Sequence, residues 1–380
     1  MLITIANILI ACRPFICSLA YLLVSLSYSF LLVSFLLIWI LLKGLPRPEI
    51  RLIKYPAALF VLALLISTVF APDKYNAIKE LFNYLPGVLL FLFAASLSSE
   101  EKTQIIRPII QTSFIIGILA IYQYFWGIPH LMNYLAQKKL NNPFTLNYIT
   151  AQRAFFPFVT PNTLAGYLAM MVPLILAYRK NWLIISVIFV GLLLTKSIGA
   201  LLSLFLGLGI YFYLRGRINR KAWAVMGLLL IILVLVFMFR QSSNQPPNRL
   251  VTFSLNRRII YWQDTLRIIR SHLLTGVGIG NLNLPLSLYT HNSYLQIWAE
   301  MGILGIFSLV WLIIASLKSA LRNLRSSPYK TQIAGLFSAN AIFLIHNIVD
   351  FSFFLPEVAF LWWITLGLLL SKPPETGLKN

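Results

Sequence analysis

Apolar positions run along this chain in unbroken blocks, separated by short connections rich in basic residues. "FLLVSFLLIWILL" (30–42), "LIISVIFVGLLL" (183–194) and "VMGLLLIILVLVFMF" (225–239) hold no charged residue. Extended by their flanks to about 17–25 residues, such blocks match a hydrocarbon core of ~30 Å. The pattern predicts spans near 56–71, 82–98, 108–126, 163–179, 182–195, 198–214, 222–239, 293–317, 331–348 and 358–371. Residues 2–42 allow either one long helix after Arg13-Pro14 or two helices with a turn near "SLSYS" (25–29). The expected fold is therefore all-α: a polytopic membrane protein with 11–12 transmembrane helices, forming a single membrane domain over residues 1–380.

Two connections are long, 127–162 and 240–292. Within the second, "NRRIIYWQDTLRIIRSHLLTG" (256–276) changes period: Ile259, Trp262, Leu266, Ile269 and Leu273 form one apolar helical stripe. A Trp-bearing amphipathic helix of this kind suits the membrane interface, although packing on neighbouring helices would produce the same stripe. "GVGIGN" (276–281) follows as a turn. Its glycines end the helix, and they also allow backbone N–H groups to approach a phosphate.

Composition agrees with the blocks. Of 380 residues, 59% are hydrophobic and only 11% charged, with a mean hydropathy of +0.81; a soluble domain carries roughly a quarter charged residues. The two cysteines, Cys12 and Cys17, provide neither a disulfide framework nor a metal-ligand set. The start of the chain has no positive n-region and no small-residue cleavage site, so it reads as retained structure.

Charge adds an orientation. The connections at 43–55, 99–107, 179–181, 215–221 and 318–330, with the C-terminal tail, carry 18 of the 31 basic residues. By the positive-inside rule that side is cytoplasmic, and 127–162 and 240–292 face outward. The net charge of +21 is thus mostly spent on orienting helices, which argues against a nucleic-acid partner. The 240–292 connection departs from the asymmetry: Arg240, Arg249, Arg257, Arg258, Arg267 and Arg270 face one acid, Asp264. A guanidinium stays charged and binds phosphate bidentately. Anionic membrane lipids and a diphosphate-bearing substrate both fit.

Candidate chemistry is sparse. "AQRAFFPFVTPNTLAGYLA" (151–169) sets Arg153 shortly before a helix start, with Asn162 or Thr163 as the expected N-cap. "HNSYLQIWAEMG" (291–302) sets His291 at the threshold of another span. Capping there needs only Thr290, Asn292 or Ser293, so the imidazole is free for other work, such as taking a proton from a hydroxyl. Neither a paired-acid motif for Mg²⁺, a His/Cys ligand cluster, nor a G-x-S-x-G elbow is present. A transporter would be expected to carry ionisable groups within its spans. Here the spans are nearly uncharged, with Lys196 and Glu300 close to boundaries.

In combination, "RAFFPFVTPNTLAGYLAMMVPL", "RRIIYWQDTLRIIRSHLLTGVGIGN" and "HNSYLQIWAEMGILG" resemble the O-antigen ligase and polymerase superfamily of bacterial membrane glycosyltransferases. The matched positions are Arg153, Pro161, Asn162 and Ala165, then His291, Asn292, Gly302 and Gly305. The family's Ser-Arg-Gly element reads "TKSIGA" (195–200), with Ile198 at the Arg position and Lys196 as the nearest cation.

The resemblance implies transfer of a glycan from a polyprenyl-diphosphate carrier to an acceptor hydroxyl, without a metal or cofactor. It implies a location in the cytoplasmic (inner) membrane, with the active site facing the periplasm. The site would combine the outward loops with the start of the helix at 293–317. His291 and Asn292 would be catalytic, and Arg153, Arg258, Arg257 and Lys196 would hold the diphosphate. The implied partners are the lipid-linked donor, a glycolipid acceptor such as lipid A core, and membrane lipids. A polymerase or a protein O-oligosaccharyltransferase of the same superfamily remains an alternative, as does a solute or bicarbonate transporter.

Overall fold

The computed structural model describes residues 2–44, 53–138, 143–216, 218–242, 251–326 and 329–370. Arg47, Arg51, Arg217, Arg249, Lys372 and Lys379 from the charge reading lie outside them. The described chain is helical throughout, with no strand ladder beyond one isolated bridge between Leu284 and Ser287. Six helices are long and apolar enough to cross a membrane, and five apolar helices are shorter. This is an all-α, multi-pass membrane protein.

The helices are α1 (Leu2–Cys12), α2 (Leu22–Lys43), α3 (Lys54–Phe70), α4 (Lys74–Ser96) and α5 (Ser99–Tyr122). The 127–162 connection is mostly helical, with a π-helical turn (Gln123–Gly127), α6 (Ile128–Lys138) and α7 (Pro143–Thr150). There follow α8 (Pro161–Tyr178), α9 (Trp182–Leu194), α10 (Ile198–Leu214), α11 (Arg220–Gln241) and the amphipathic α12 (Val251–Ser271). The last three are α13 (Ser293–Ser326), α14 (Lys330–His346) and α15 (Pro356–Leu368).

At the N-terminus the chain breaks at Arg13–Phe15 and not at 25–29. Ser25 and Ser29 are buried in α2, and Ser25 accepts a hydrogen bond from Arg13 at 2.9 Å. The Arg13 guanidinium also faces Glu357 at 3.7 Å, tying the start of the chain to α15.

Every residue of α15 is buried, and α8 and α14 are nearly so. A helix that is apolar all round is covered either by other helices or by lipid, and these three are covered by protein. Accordingly α8 packs on α14 and α15 packs on α4, with α3, α5, α9, α10 and α13 around them. By contrast α11 leaves most of its apolar surface uncovered, with Leu228, Ile231, Leu235 and Met238 exposed. In a membrane that surface faces lipid.

Two details fix the end of the bundle that holds the long connections. First, α9 has 13 residues, about 20 Å at 1.5 Å per residue, against a hydrocarbon core of ~30 Å. On its own it is too short to span that core. Second, α13 is interrupted at Gly302, which has φ +64°. The break frees carbonyls that the "GVGIGN" turn takes up: Val277 N–H donates to Ala299 O at 2.8 Å and Gly278 N–H to Glu300 O at 3.0 Å. Ser67 Oγ gives Glu300 O a second bond at 2.8 Å.

Gly276, Gly278 and Gly280 all have positive φ and lie against the backbone of Glu300, Ala71 and Asn76. The turn is a clamp on protein backbone. A Cβ on Gly302 would stand 2.0 Å from Leu274 O. Gly302→Ala should destabilise the protein by more than ~1 kcal/mol, read as a lower thermal midpoint in detergent; an unchanged midpoint would show that the break is not required.

Candidate active site

Where the α9–α10 break, the end of α11, the start of α12 and the loop before α13 converge, they enclose a cavity of about 300 Å³. Five cationic side chains line it: Arg153, Lys196, Arg240, Arg257 and Arg258. Asn162, Tyr148, Ser254, Tyr261 and His291 complete its polar lining, and among the described residues no carboxylate belongs to it. All but one of the site residues named from sequence come together here.

Arg153 is aimed by its surroundings. Its loop is pinned by Gln123, whose Oε1 accepts from the backbone N–H of Phe155 at 2.7 Å and Phe156 at 2.8 Å. Gln123 opens the π-helical turn, a distortion that re-aims side chains at functional sites. Arg153 Nε donates to Thr195 O at 2.7 Å and Nη2 to Asn162 Oδ1 at 3.0 Å. Two of five N–H donors are thereby used. Asn162 can serve in this way because Thr160, and not Asn162 or Thr163, is the N-cap of α8: its side chain accepts from Thr163 N–H. Asn162 Oδ1 also accepts from Ser197 Oγ at 3.0 Å.

Lys196 occupies the break itself with φ +53°. Its Nζ donates to Ala151 O at 3.1 Å and lies over Tyr124 and Phe239. Its carbonyl accepts from Arg240 Nη1 at 3.3 Å. A cation from the element "TKSIGA" thus reaches the cavity although Ile198 replaces the expected arginine. Within the six-arginine connection the structure discriminates. Arg240, Arg257 and Arg258 line the cavity, with Arg257 exposed over Phe253. Arg267 is exposed and bound to Asp264 at 2.7 Å, and Arg270 is exposed. The apolar stripe of α12 is largely uncovered, with Ile259, Leu266 and Leu273 exposed. That is what a helix lying in a membrane interface requires.

His291 takes no part in capping. Thr290 Oγ1 accepts from Asn292 N–H at 3.1 Å, and Asn292 Oδ1 accepts from the N–H groups of Tyr294 and Leu295, both at 3.1 Å. Asn292 is consequently a helix cap and does not line the cavity; it is the one residue of the expected set that stays outside. His291 is held at φ +53°, edge-on to Phe351 and stacked over Tyr261, with ring centroids 4.8 and 5.8 Å away. Its Nδ1 is buried without a partner.

The electrostatics follow from this crowding. Burial, then Arg258, hold the His291 imidazole down to about 4, with Asp350 opposing them, so the ring is neutral at pH 7. Burial and the neighbouring Arg240 and Arg258 also push Arg153 down, to about 9. A guanidinium keeps its proton, so the penalty persists as positive potential that an anion would relieve. Burial lowers Arg258 too, and Asp350 is the largest influence against it. Asp350 is fully buried behind the cavity. Its Oδ2 accepts from Ser352 Oγ and lies 3.5 Å from His346 Nε2, which is also 3.1 Å from Asn162 O. No local sequence pattern marks the convergence of Asp350 and His346.

Residues 183–310 match the protein family described as O-antigen ligase. A protein of Salmonella typhimurium (strain LT2) named "O-antigen ligase" is 25% identical over 339 residues, covering 77% of this chain and 77% of that protein. Over these stretches the chain is similar to O-antigen ligases. The O-antigen ligase match contains Lys196, Arg240, Arg257, Arg258, His291 and Asn292, whereas Arg153, Asn162, His346 and Asp350 lie outside it. Among the described residues no group of three or more His, Cys, Asp or Glu side chains could hold a metal ion.

Proposed function

We propose that the protein transfers a glycan from a polyprenyl-diphosphate carrier to a hydroxyl of a glycolipid acceptor, at the periplasmic face of the inner membrane. The observation that carries this reading is the meeting of five cations and one imidazole in a single cavity that no carboxylate lines among the described residues. The diphosphate sits among Arg153, Arg257, Arg258 and Lys196, and the carrier's isoprenoid tail stays in the bilayer beside α11. The acceptor oxygen attacks the anomeric carbon and forms the new glycosidic bond, and its proton passes to His291. The bond from that carbon to the diphosphate oxygen breaks, and the oxygen leaves with the electron pair. Fixed guanidinium groups stabilise the charge that develops there, without reorganising during the reaction. With no carboxylate in the lining to act as a nucleophile, a single displacement with inversion is the expected course.

The deciding experiment supplies purified protein with a defined polyprenyl-diphosphate glycan and several acceptors, with EDTA present. Transfer to a lipid A core acceptor is expected. Extension of the lipid-linked glycan alone would make the protein a polymerase, and solute flux in liposomes without any transfer would end the enzyme reading.

A pH profile tests the base. With the free imidazole held at about 4, kcat/KM should stay level down to about pH 5 and fall below it, because that ratio reports the free enzyme. The acid limb of kcat should lie higher, since a bound diphosphate offsets the repulsion from Arg258 and favours the protonated ring. Acid limbs at 6.5 in both profiles would mean that the imidazole is not buried beside Arg258.

A further inference from the structure

At the opposite end of the bundle a second cleft, of about 340 Å³, opens between α11 and the packed helices α8, α9 and α10. Its walls are apolar, with Phe189, Leu204 and Val225 on three sides. At the rim stand Lys180, Arg215 and Lys221, and among the described residues no carboxylate lines it. Arg215 Nη1 donates to Tyr211 Oη at 3.2 Å, and its guanidinium lies over that ring at 5.3 Å, which holds the charge at the mouth. Trp182, on the rim, and Trp223, one turn into α11, are each 68% exposed. Exposed tryptophans at helix starts mark the level of lipid headgroups. An apolar slot below that level, with three cations at it, has the chemistry of a phospholipid with a negative headgroup.

We propose that this cleft binds one anionic phospholipid of the leaflet on that side. One acyl chain lies between α11 and the α8–α10 wall, and the phosphate lies between Lys180, Arg215 and Lys221. The site is separate from the candidate active site. α11 joins the two: its first turns line the cleft, and Phe239 and Arg240 at its far end line the arginine-rich cavity. α11 has little protein packing of its own, since only 11% of its apolar window is buried. A lipid in the cleft supplies the missing side of its packing.

The test is native mass spectrometry of the full chain with phosphatidylglycerol and phosphatidylcholine of identical acyl composition. Each basic residue beside a lipid phosphate contributes roughly fivefold in binding, so phosphatidylglycerol should be retained at least ~10-fold better. Changing Lys180→Gln, Arg215→Gln and Lys221→Gln together should bring the two lipids level. Val225→Trp, which fills the slot and leaves the cations in place, should reduce retention of both. Equal retention of the two lipids by the unaltered protein would overturn the proposal, as would a preference that survives the triple change. Displacement of phosphatidylglycerol by a polyprenyl phosphate would also overturn it, by giving the cleft to the carrier.

Discussion

His291→Ala is expected to lower glycan transfer by ~10²-fold or more, the contribution of a positioned general base, while donor binding changes little. The imidazole is the one neutral proton acceptor with a raised demand for a partner in the cavity, its Nδ1 buried and unbonded. The cap of α13 is made by Thr290 and Asn292, so helix and insertion should survive the change. Alanine at φ +53° does carry a backbone cost of about 1–2 kcal/mol. His291→Asn separates the effects, because asparagine tolerates the left-handed region but is no base. Loss of transfer in both variants, with donor retained in a binding assay, supports a proton acceptor. Turnover within a few-fold of normal in His291→Asn would return His291 to a packing role.

Arg258→Lys is expected to cost ~10²–10³-fold, comparable to losing one donor of a preorganised anion hole. Lysine keeps the charge but loses the planar fork. Arg258 lies in the cavity under the influence of Asp350, Tyr148 and Tyr261. Arg267 lies exposed on the same helix, already bonded to Asp264, and Arg267→Lys should stay within a few-fold. The comparison is made on kcat/KM at fixed ionic strength, since simple attraction to anionic lipid is screened by salt. Equal and small effects would mean that α12 senses membrane charge only.

The route from sequence to site was uneven, for physical reasons. Spans were legible because crossing hydrocarbon demands uninterrupted apolar length; each expected span from residue 56 onward has its helix, with the largest displacements at 82–98, which begins at Lys74, at 108–126, which begins at Ser99, and at 293–317, which runs on to Ser326. The amphipathic stripe of α12 was legible for the same reason. The N-terminal break was harder: "SLSYS" has turn-like composition, yet Ser25 and Ser29 find buried positions along α2. Asn162 was misread as a cap because Asn and Thr cap equally well. Only the fold showed that Thr160 takes that role and leaves Asn162 to hold Arg153. Asn292, named from sequence as a site residue, caps α13.

By itself, the sequence determined that this is a helical membrane protein, that its arginines concentrate in one connection, and that His291 stands where capping does not need it. These are properties of local composition and period, which the bilayer and the helix geometry read directly. The resemblance had grouped Arg153, Lys196, Arg257 and Arg258; the tertiary structure decided how they meet and that Arg240 joins them. Arg153, Lys196, Arg240 and Arg258 come from four segments spread over more than a hundred residues, and they meet where the α9–α10 break, the end of α11 and the start of α12 converge. Contacts of that range are set by packing among helices, and no local pattern records them.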